Sequence, residues 1–526
     1  MNLADIIKSV TPHNKWLRLV LLIPSLLLIL LAADMLWVRM WRRIPIGYDT
    51  TRLTGPLRPD GTVNYAAALD AVYSKGVTLE NNAVPLLIEA SGELSTDRSA
   101  LFQAYRRKLF ARLRMAVTVK QSGFHSYFQW VNLKLGNDLT NAQWDTDVTR
   151  VDPSFRLHPW TASQNPLAAR WVHSNAAALA IFYRAVKRHE FYLPIISFRE
   201  VNAPNAFLQN FHAIGVAAAA RAMFRLGNHD TIGAIADINA DMRLAMLMSK
   251  DPSLLARLND YPVISAALRA EAAAAGSGLL SQNELRNLLR HTLPRSAILP
   301  LTAQLQFQRF DSLAFLEKAG KYGIRTLVSE FNANNPNGLP KPPPLTARLL
   351  DALVPVNFAA TMRQRNRLYD RAKLAIGYRH YLRRKAALAA LARSVVEKAS
   401  EHPIRQWMNP FAAALPATAN SLSLFFNRFP ERLITRRRIT ILAVGLAIYK
   451  REHGHYPQRL SALVPKYVPR IPPDGFTGKA LKYHLLNQGH AFVLYSVGPN
   501  GVDNGGKGSA AGSGNDDISV RSGVPE

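Results

Sequence analysis

Apolar and small residues recur every three to four positions from Asn64 to about position 400, the period of helices that bury one face. Leu101, Tyr105, Leu109 and Leu113 form one such set. Residues 64–73 predict a short helix with Asn64 as its cap, and Asn81-Asn82-Ala83 introduces another through Ala90. Pro166 to His189 predicts a further helical stretch, and 205–225 a long alanine-rich helix. Leu226-Gly227-Asn228-His229-Asp230 reads as a turn: Gly227 ends one helix, and Asp230 opens the next, which runs through about Ser249. The pattern suggests a tetratricopeptide-like hairpin, but no repeat of about 34 residues follows, so the expectation is an irregular helical-hairpin array. The proline-rich run 332–344 predicts an extended loop, helices resume at about 345, and 409–422 predicts a loose segment.

The periodicity changes after Arg432. Thr435 to Glu452 predicts a helix with Ile439, Leu442, Leu446 and Tyr449 on one face, Thr435 as its cap and Gly454 at its end. A short helix is expected from about Gln458 to Val464, then a turn-rich run at 471–478. Leu481 to Leu485 alternates as a strand does, Asn487-Gln488-Gly489 turns the chain, and Ala491 to Val497 predicts a second strand. The expected fold class is mainly α, with an N-terminal transmembrane helix and a small C-terminal α+β domain. The expected segments are a tail at 1–15, a transmembrane segment at 16–38, a linker at 39–61, a helical domain at 62–410, a second linker at 411–430 and the α+β domain at 431–526.

The transmembrane expectation rests on LVLLIPSLLLILLAA at 19–33, fifteen residues without a charge. Extended from Trp16 to Val38, the segment reaches roughly 35 Å as helix, enough to cross the hydrocarbon layer. Trp16 and Trp37 sit where interfacial aromatics sit, and Arg18 can snorkel. A cleaved signal peptide is the competing possibility, but Leu30 or Leu31 would occupy the −3 position where a small residue is needed. An uncleaved signal anchor is therefore expected. Lys8, Lys15 and Arg18 on one side balance Arg39, Arg42 and Arg43 on the other, so charge does not set orientation.

Hydrophobic residues at 48% suffice for a large core. The absence of cysteine excludes disulfide scaffolds, iron–sulfur centres and cysteine nucleophiles. The 65 Lys and Arg against 36 Asp and Glu give a net charge of +29, which favours polyanions or anionic lipid as partners, or reflects a solvated basic surface. The densest basic stretch runs from Arg363 to Lys385.

Several separate pieces of the C-terminal segment fall in a familiar order. These are Tyr456-Pro457, Leu460, Leu463, Pro473-Asp474, Phe476, Gly478, Tyr483, Tyr495-Ser496, Gly498, Asn500-Gly501, Asp503 and Asp516-Asp517-Ile518. They resemble the soluble domain of the major (G-type) pseudopilin of type II secretion systems. The resemblance implies a helix leading to a small antiparallel sheet and a calcium loop. The segments 73–92, 159–171, 225–230 and 435–457 resemble an uncharacterised family of large, membrane-anchored, mostly helical bacterial proteins ending in the same module; no activity follows from that. Two departures from a fibre subunit stand out. Some 400 residues separate the apolar run from the module, and the N-terminus lacks a prepilin processing signal.

The candidate metal ligands are Ser496, Asn500, Asp503, Asn515, Asp516 and Asp517, whose hard oxygens suit calcium better than magnesium. The alternative is a flexible tail with solvated aspartates, residue 500 being asparagine where the pseudopilin family has aspartate. His189-Glu190 lacks a second histidine for a zincin motif, and His453 and His455 fit helix-end positions better than a metal. Nucleophile elbows, Walker loops and dinucleotide fingerprints are missing from the sequence. Asp145, Asp147 and Asp152 could form an acid pair but fit a polar loop better. The expectation is a bacterial inner-membrane, single-pass envelope scaffold, its bulk in the periplasm. Its partners would be envelope proteins such as pilin-like or secretion components, with nucleic acid disfavoured. The alternatives are an envelope enzyme with an unrecognised site and a polyanion binder.

Overall fold

The computed structural model describes residues 43–91, 100–116, 123–135, 155–196, 203–292, 301–323, 356–400, 415–508 and 516–522, together with 25, 26, 29, 30, 33 and 294. The chain is mainly helical with a small antiparallel sheet near its C-terminus. Among the described residues no helix is long and apolar enough to cross a membrane. Most of the expected span at 16–38, the aspartates at 145, 147 and 152, and the proline-rich run at 332–344 lie outside the described residues.

The helices are α1 (Tyr65–Tyr73), α2 (Val84–Ser91), α3 (Ala100–Arg112), α4 (Tyr127–Leu135), α5 (Pro166–Ser174), α6 (Ala176–Ala185) and α7 (Ala203–Gly227). They continue with α8 (Thr231–Met248), α9 (Leu254–Gly276), α10 (Gln282–His291), α11 (Thr302–Tyr322), α12 (Phe358–Ile376), α13 (Tyr381–Ser400) and α14 (Leu415–His453). The strands are β1 (Lys482–Leu486), β2 (Ala491–Ser496) and β3 (Ile518–Ser522), in the order β1-β2-β3 and antiparallel throughout. The third strand was not foreseen, because the glycine-rich sequence before it masks its alternation.

The chain divides into two units. The first comprises 1–65, 310–368 and 394–417. Within it, residues 43–61, the described part of the segment expected as a linker at 39–61, are tied down: Thr50 and Thr51 are buried, Tyr65 donates to Thr51 O at 2.9 Å, and Asn366 donates to Thr50 O at 2.7 Å. Val63 N donates to Glu317 Oε1 at 3.0 Å. The Gly and Pro residues that rule out regular structure there do not rule out fixed structure.

The second unit comprises 66–309, 369–393 and 418–526. Helices α7, α8 and α9 pack on one another as its centre. Ala217, Ala218, Ala219, Ala220 and Ala222 are all buried, and such small side chains let helix axes approach closely. The predicted turn is present, with Asp230 accepting from Gly233 N at 2.9 Å to cap α8. Asp237 on α8 is buried and accepts from Arg221 Nη2 at 2.6 Å and Arg225 Nη1 at 2.9 Å on α7, and also from the Tyr183 hydroxyl on α6. One buried carboxylate thus joins three helices. Tyr127, Phe155, Trp160 and Trp171 form an aromatic cluster with neighbouring centroids 5.2–6.5 Å apart.

Helix α14 departs most from expectation. It begins at Leu415, inside the segments expected to be loose and a linker, and runs unbroken through Pro430 for 39 residues, about 58 Å. Leu422, Phe426, Leu433 and Ile434 continue the buried face backwards from Ile439. Burial of that face outweighs the hydrogen bond lost at Pro430. Thr435, expected as the cap, lies fully buried in mid-helix. Thr440 donates to Leu268 O of α9 at 3.1 Å, and Phe476, Phe492, Leu494 and Val520 of the sheet module share one hydrophobic core with α7, α8, α9 and α14.

Glu271 on α9 accepts from the buried Thr292 hydroxyl, and burial pushes its carboxyl up to about 8. A carboxyl held neutral in the folded state stabilises below the unfolded value near 4.5 and loses that contribution as pH rises towards 8. The wild-type chain should therefore lose stability over this window, and Glu271→Gln should flatten the loss, as read by denaturant midpoints at pH 5, 7 and 9. Equal slopes in both proteins would contradict it.

Candidate metal loop of the terminal module

The loop between β2 and β3 begins beside the turn that precedes β1. Asp474 is buried and accepts from Phe476 N at 2.7 Å and Val497 N at 3.2 Å, so the Pro472-Pro473-Asp474-Gly475-Phe476 turn clamps the end of β2. The turn in turn lies on α14: a Cβ at Gly475 would stand 2.2 Å from Glu431 Oε1 and 2.5 Å from Thr435 Oγ1. Glu431 pairs with Arg384 Nη2 at 2.8 Å, both side chains being 4% exposed. The Phe476 ring meets Tyr381 of α13 edge-on at 4.9 Å. Desolvation makes such a pair costly to break.

The expected ligands separate into two groups. Ser496, Asn500 and Asp503 are occupied locally. Ser496 Oγ accepts from Gly498 N at 3.2 Å, and Asn500 Oδ1 from Val502 N at 2.8 Å. Asp503 accepts from Tyr495 OH at 2.9 Å and Gly505 N at 3.0 Å and lies 3.5 Å from Lys482 Nζ. The Gly505 amide, followed by the Tyr495 hydroxyl, holds the Asp503 carboxyl below its ordinary value. Asn515 lies outside the described residues.

Asp516 and Asp517 form the other group. Each uses one oxygen to fold the loop. Asp516 Oδ2 accepts from Asn500 N at 3.2 Å, and Asp517 Oδ2 from Asn504 N at 3.1 Å and Gly506 N at 2.8 Å. Among the described residues their Oδ1 atoms are buried without a hydrogen-bond partner, and so is Asn504 Oδ1. Burial pushes the Asp517 carboxyl up, against the pull of the Gly506 and Asn504 amides, and Asp503 and Asp516 add to the rise. Gly498 has φ +67°, and a Cβ there would stand 2.2 Å from Asp516 O. Only glycine permits that approach.

Two carboxylate oxygens and one amide oxygen, buried and without a hydrogen-bond partner among the described residues, are donors of the kind a hard cation takes. Among the described residues no three carboxylates or histidines group as a metal site, so a cation here would draw on amide and backbone oxygens as well. Asn504 was not among the expected ligands; its position beside Asp503 in the glycine-rich run was the available signal.

The expected histidines are otherwise engaged. His453 Nε2 lies 3.0 Å from Tyr467 OH, and His455 Nδ1 lies 3.0 Å from Tyr456 O. A groove of about 410 Å³, mouth included, is lined by Leu254, Leu258, Tyr261, Phe425 and Phe429, with Arg257 paired to Asp260 at 2.9 Å. Burial pushes the Asp260 carboxyl up to about 7.

Comparison with family models, with curated proteins and with solved structures finds no match.

If the loop takes calcium, millimolar Ca²⁺ should raise the melting temperature of the full chain, and Asp516→Asn with Asp517→Asn should abolish the rise. By mass action, calcium at 100 times its Kd would add about 2.7 kcal/mol. No shift in the parent protein at about 10 mM, well above even weak extracellular-type sites, would count against the site.

Proposed function

We propose that the chain is a single-pass, membrane-anchored scaffold of the bacterial envelope, with its helical and α+β parts on the periplasmic side. Residues 16–38 provide the anchor. The terminal module docks to pilin-like or secretion components, with the 496–517 loop stiffened by calcium. The observation that carries this reading is the rigid mounting of a small sheet on α14. Its central strand β2 is buried throughout, whereas Lys482 and His484 of the edge strand β1 remain exposed. An edge strand with free backbone groups is a surface to which another chain can add. The resemblance to a pseudopilin soluble domain supports the choice of partner, and the oxygen-lined loop supports calcium.

Compartment reporters fused after Glu526 test the placement. A periplasmic reporter should be active and a cytoplasmic one silent; the reverse would overturn the orientation. The intact chain should also resist carbonate extraction. A photo-crosslinker at Lys482 of the full chain should capture a pilin-like subunit; equal capture from an exposed position such as Ile232 would contradict docking through β1.

A further inference from the structure

The basic stretch 363–385 is not one face of one helix. It spans the end of α12 and the start of α13, joined by Gly377-Tyr378-Arg379-His380. At this elbow three large apolar side chains face solvent: Leu374 is 74% exposed, Tyr378 48% and Leu382 55%. Arg371, Lys373, Arg379, Arg383 and Lys385 are exposed around them, and among the described residues none of the five forms an ion pair. The nearby acid Asp370 is engaged by Arg309 at 2.8 Å. The elbow is held in shape from beneath. Arg384 is buried, donates to Tyr378 O at 3.2 Å, and pairs with Glu431. Tyr381 packs on Phe476.

We infer that this elbow docks on an anionic bilayer surface, with Leu374, Tyr378 and Leu382 entering the headgroup layer and the surrounding Arg and Lys meeting lipid phosphates. Charge complementarity selects a polyanion, and the apolar tip selects lipid among polyanions. Nucleic acid would reward cations and stacking rings but would leave Leu374 and Leu382 in water. A membrane interface accepts apolar tips and basic rims together. Docking of the elbow does not depend on residues 16–38 being an anchor.

The chain has no cysteine, so Tyr378→Cys offers a single site for an environment-sensitive dye on the full-length protein. Vesicles of phosphatidylcholine alone are compared with vesicles containing about 30% phosphatidylglycerol, a composition that makes the surface strongly negative. In the anionic vesicles the dye should shift to the blue and be quenched by lipid-borne quenchers, and about 0.5 M salt should reverse both by screening. Neutral vesicles should give neither response. A dye at Ile232→Cys, exposed on α8, should respond to neither lipid. Adding Arg371→Glu, Arg379→Glu and Arg383→Glu should weaken the response roughly 100-fold, since each basic residue near such a surface contributes about fivefold. These side chains are exposed and form no ion pair among the described residues, so the melting temperature should be unchanged, separating lost docking from lost fold.

The inference is overturned if the dye at 378 stays equally accessible to aqueous iodide in both lipids. It is also overturned if single-stranded DNA protects the dye while vesicles do not. A chain that sediments with both lipids while the dye remains in water would keep the anchor and remove the elbow. The converse result, charge-dependent protection in a chain that washes off with carbonate, would keep the elbow and remove the anchor.

Discussion

The side chains of α14 that meet α9 and those that meet the terminal turn and sheet stand on one rigid backbone. Thr440 reaches Leu268 O, and Glu431 and Thr435 lie against Gly475. A helix cannot shift one face without moving the other, so the small sheet takes its position from the helical core. That coupling explains why a three-stranded sheet of short strands is ordered: alone it would bury too little, whereas here it joins an existing core. It also explains the intolerance to size at position 475, where the turn backbone meets a carboxylate already paired with Arg384.

Buried charge is used in two ways. Asp237 is shared by Arg221 and Arg225, and Glu431 is matched by Arg384, so these groups fix relative positions of helices through interactions that are costly to break. Asp241 and Glu271 are buried, each with at least one carboxyl oxygen that finds no hydrogen-bond partner among the described residues, and burial raises both carboxyls. The neutral form suits the low-dielectric interior better than an unpaired anion. The first set defines geometry, and the second ties stability to protons.

The loop at 496–517 follows a related logic. Its aspartates first fold it, by accepting backbone amides from residues 500, 504 and 506, and only then present oxygens inward. The oxygens left over after folding are those with something to offer a cation. Three of the six expected ligands are absorbed by local hydrogen bonds, and Asn504 joins those left over.

The periodicity of the chain was enough to establish the helical class, the α7–α8 turn at Gly227-Asp230 and the first two strands, because those depend on local spacing and on side chains that cap their own backbone. It could not place the start of α14, since Pro416, Pro430 and the alanine- and serine-rich residues around 420 are poor helix signals by themselves; burial of Leu422 and Phe426 decides in favour of helix. It could not separate the loop's inward oxygens from its structural ones, because that depends on which amides happen to be nearby once the loop has closed. Nor could it show that a basic stretch is an elbow with an apolar tip. Local propensity acts over a turn or two of chain, whereas burial, pairing and exposure are settled only when distant segments meet.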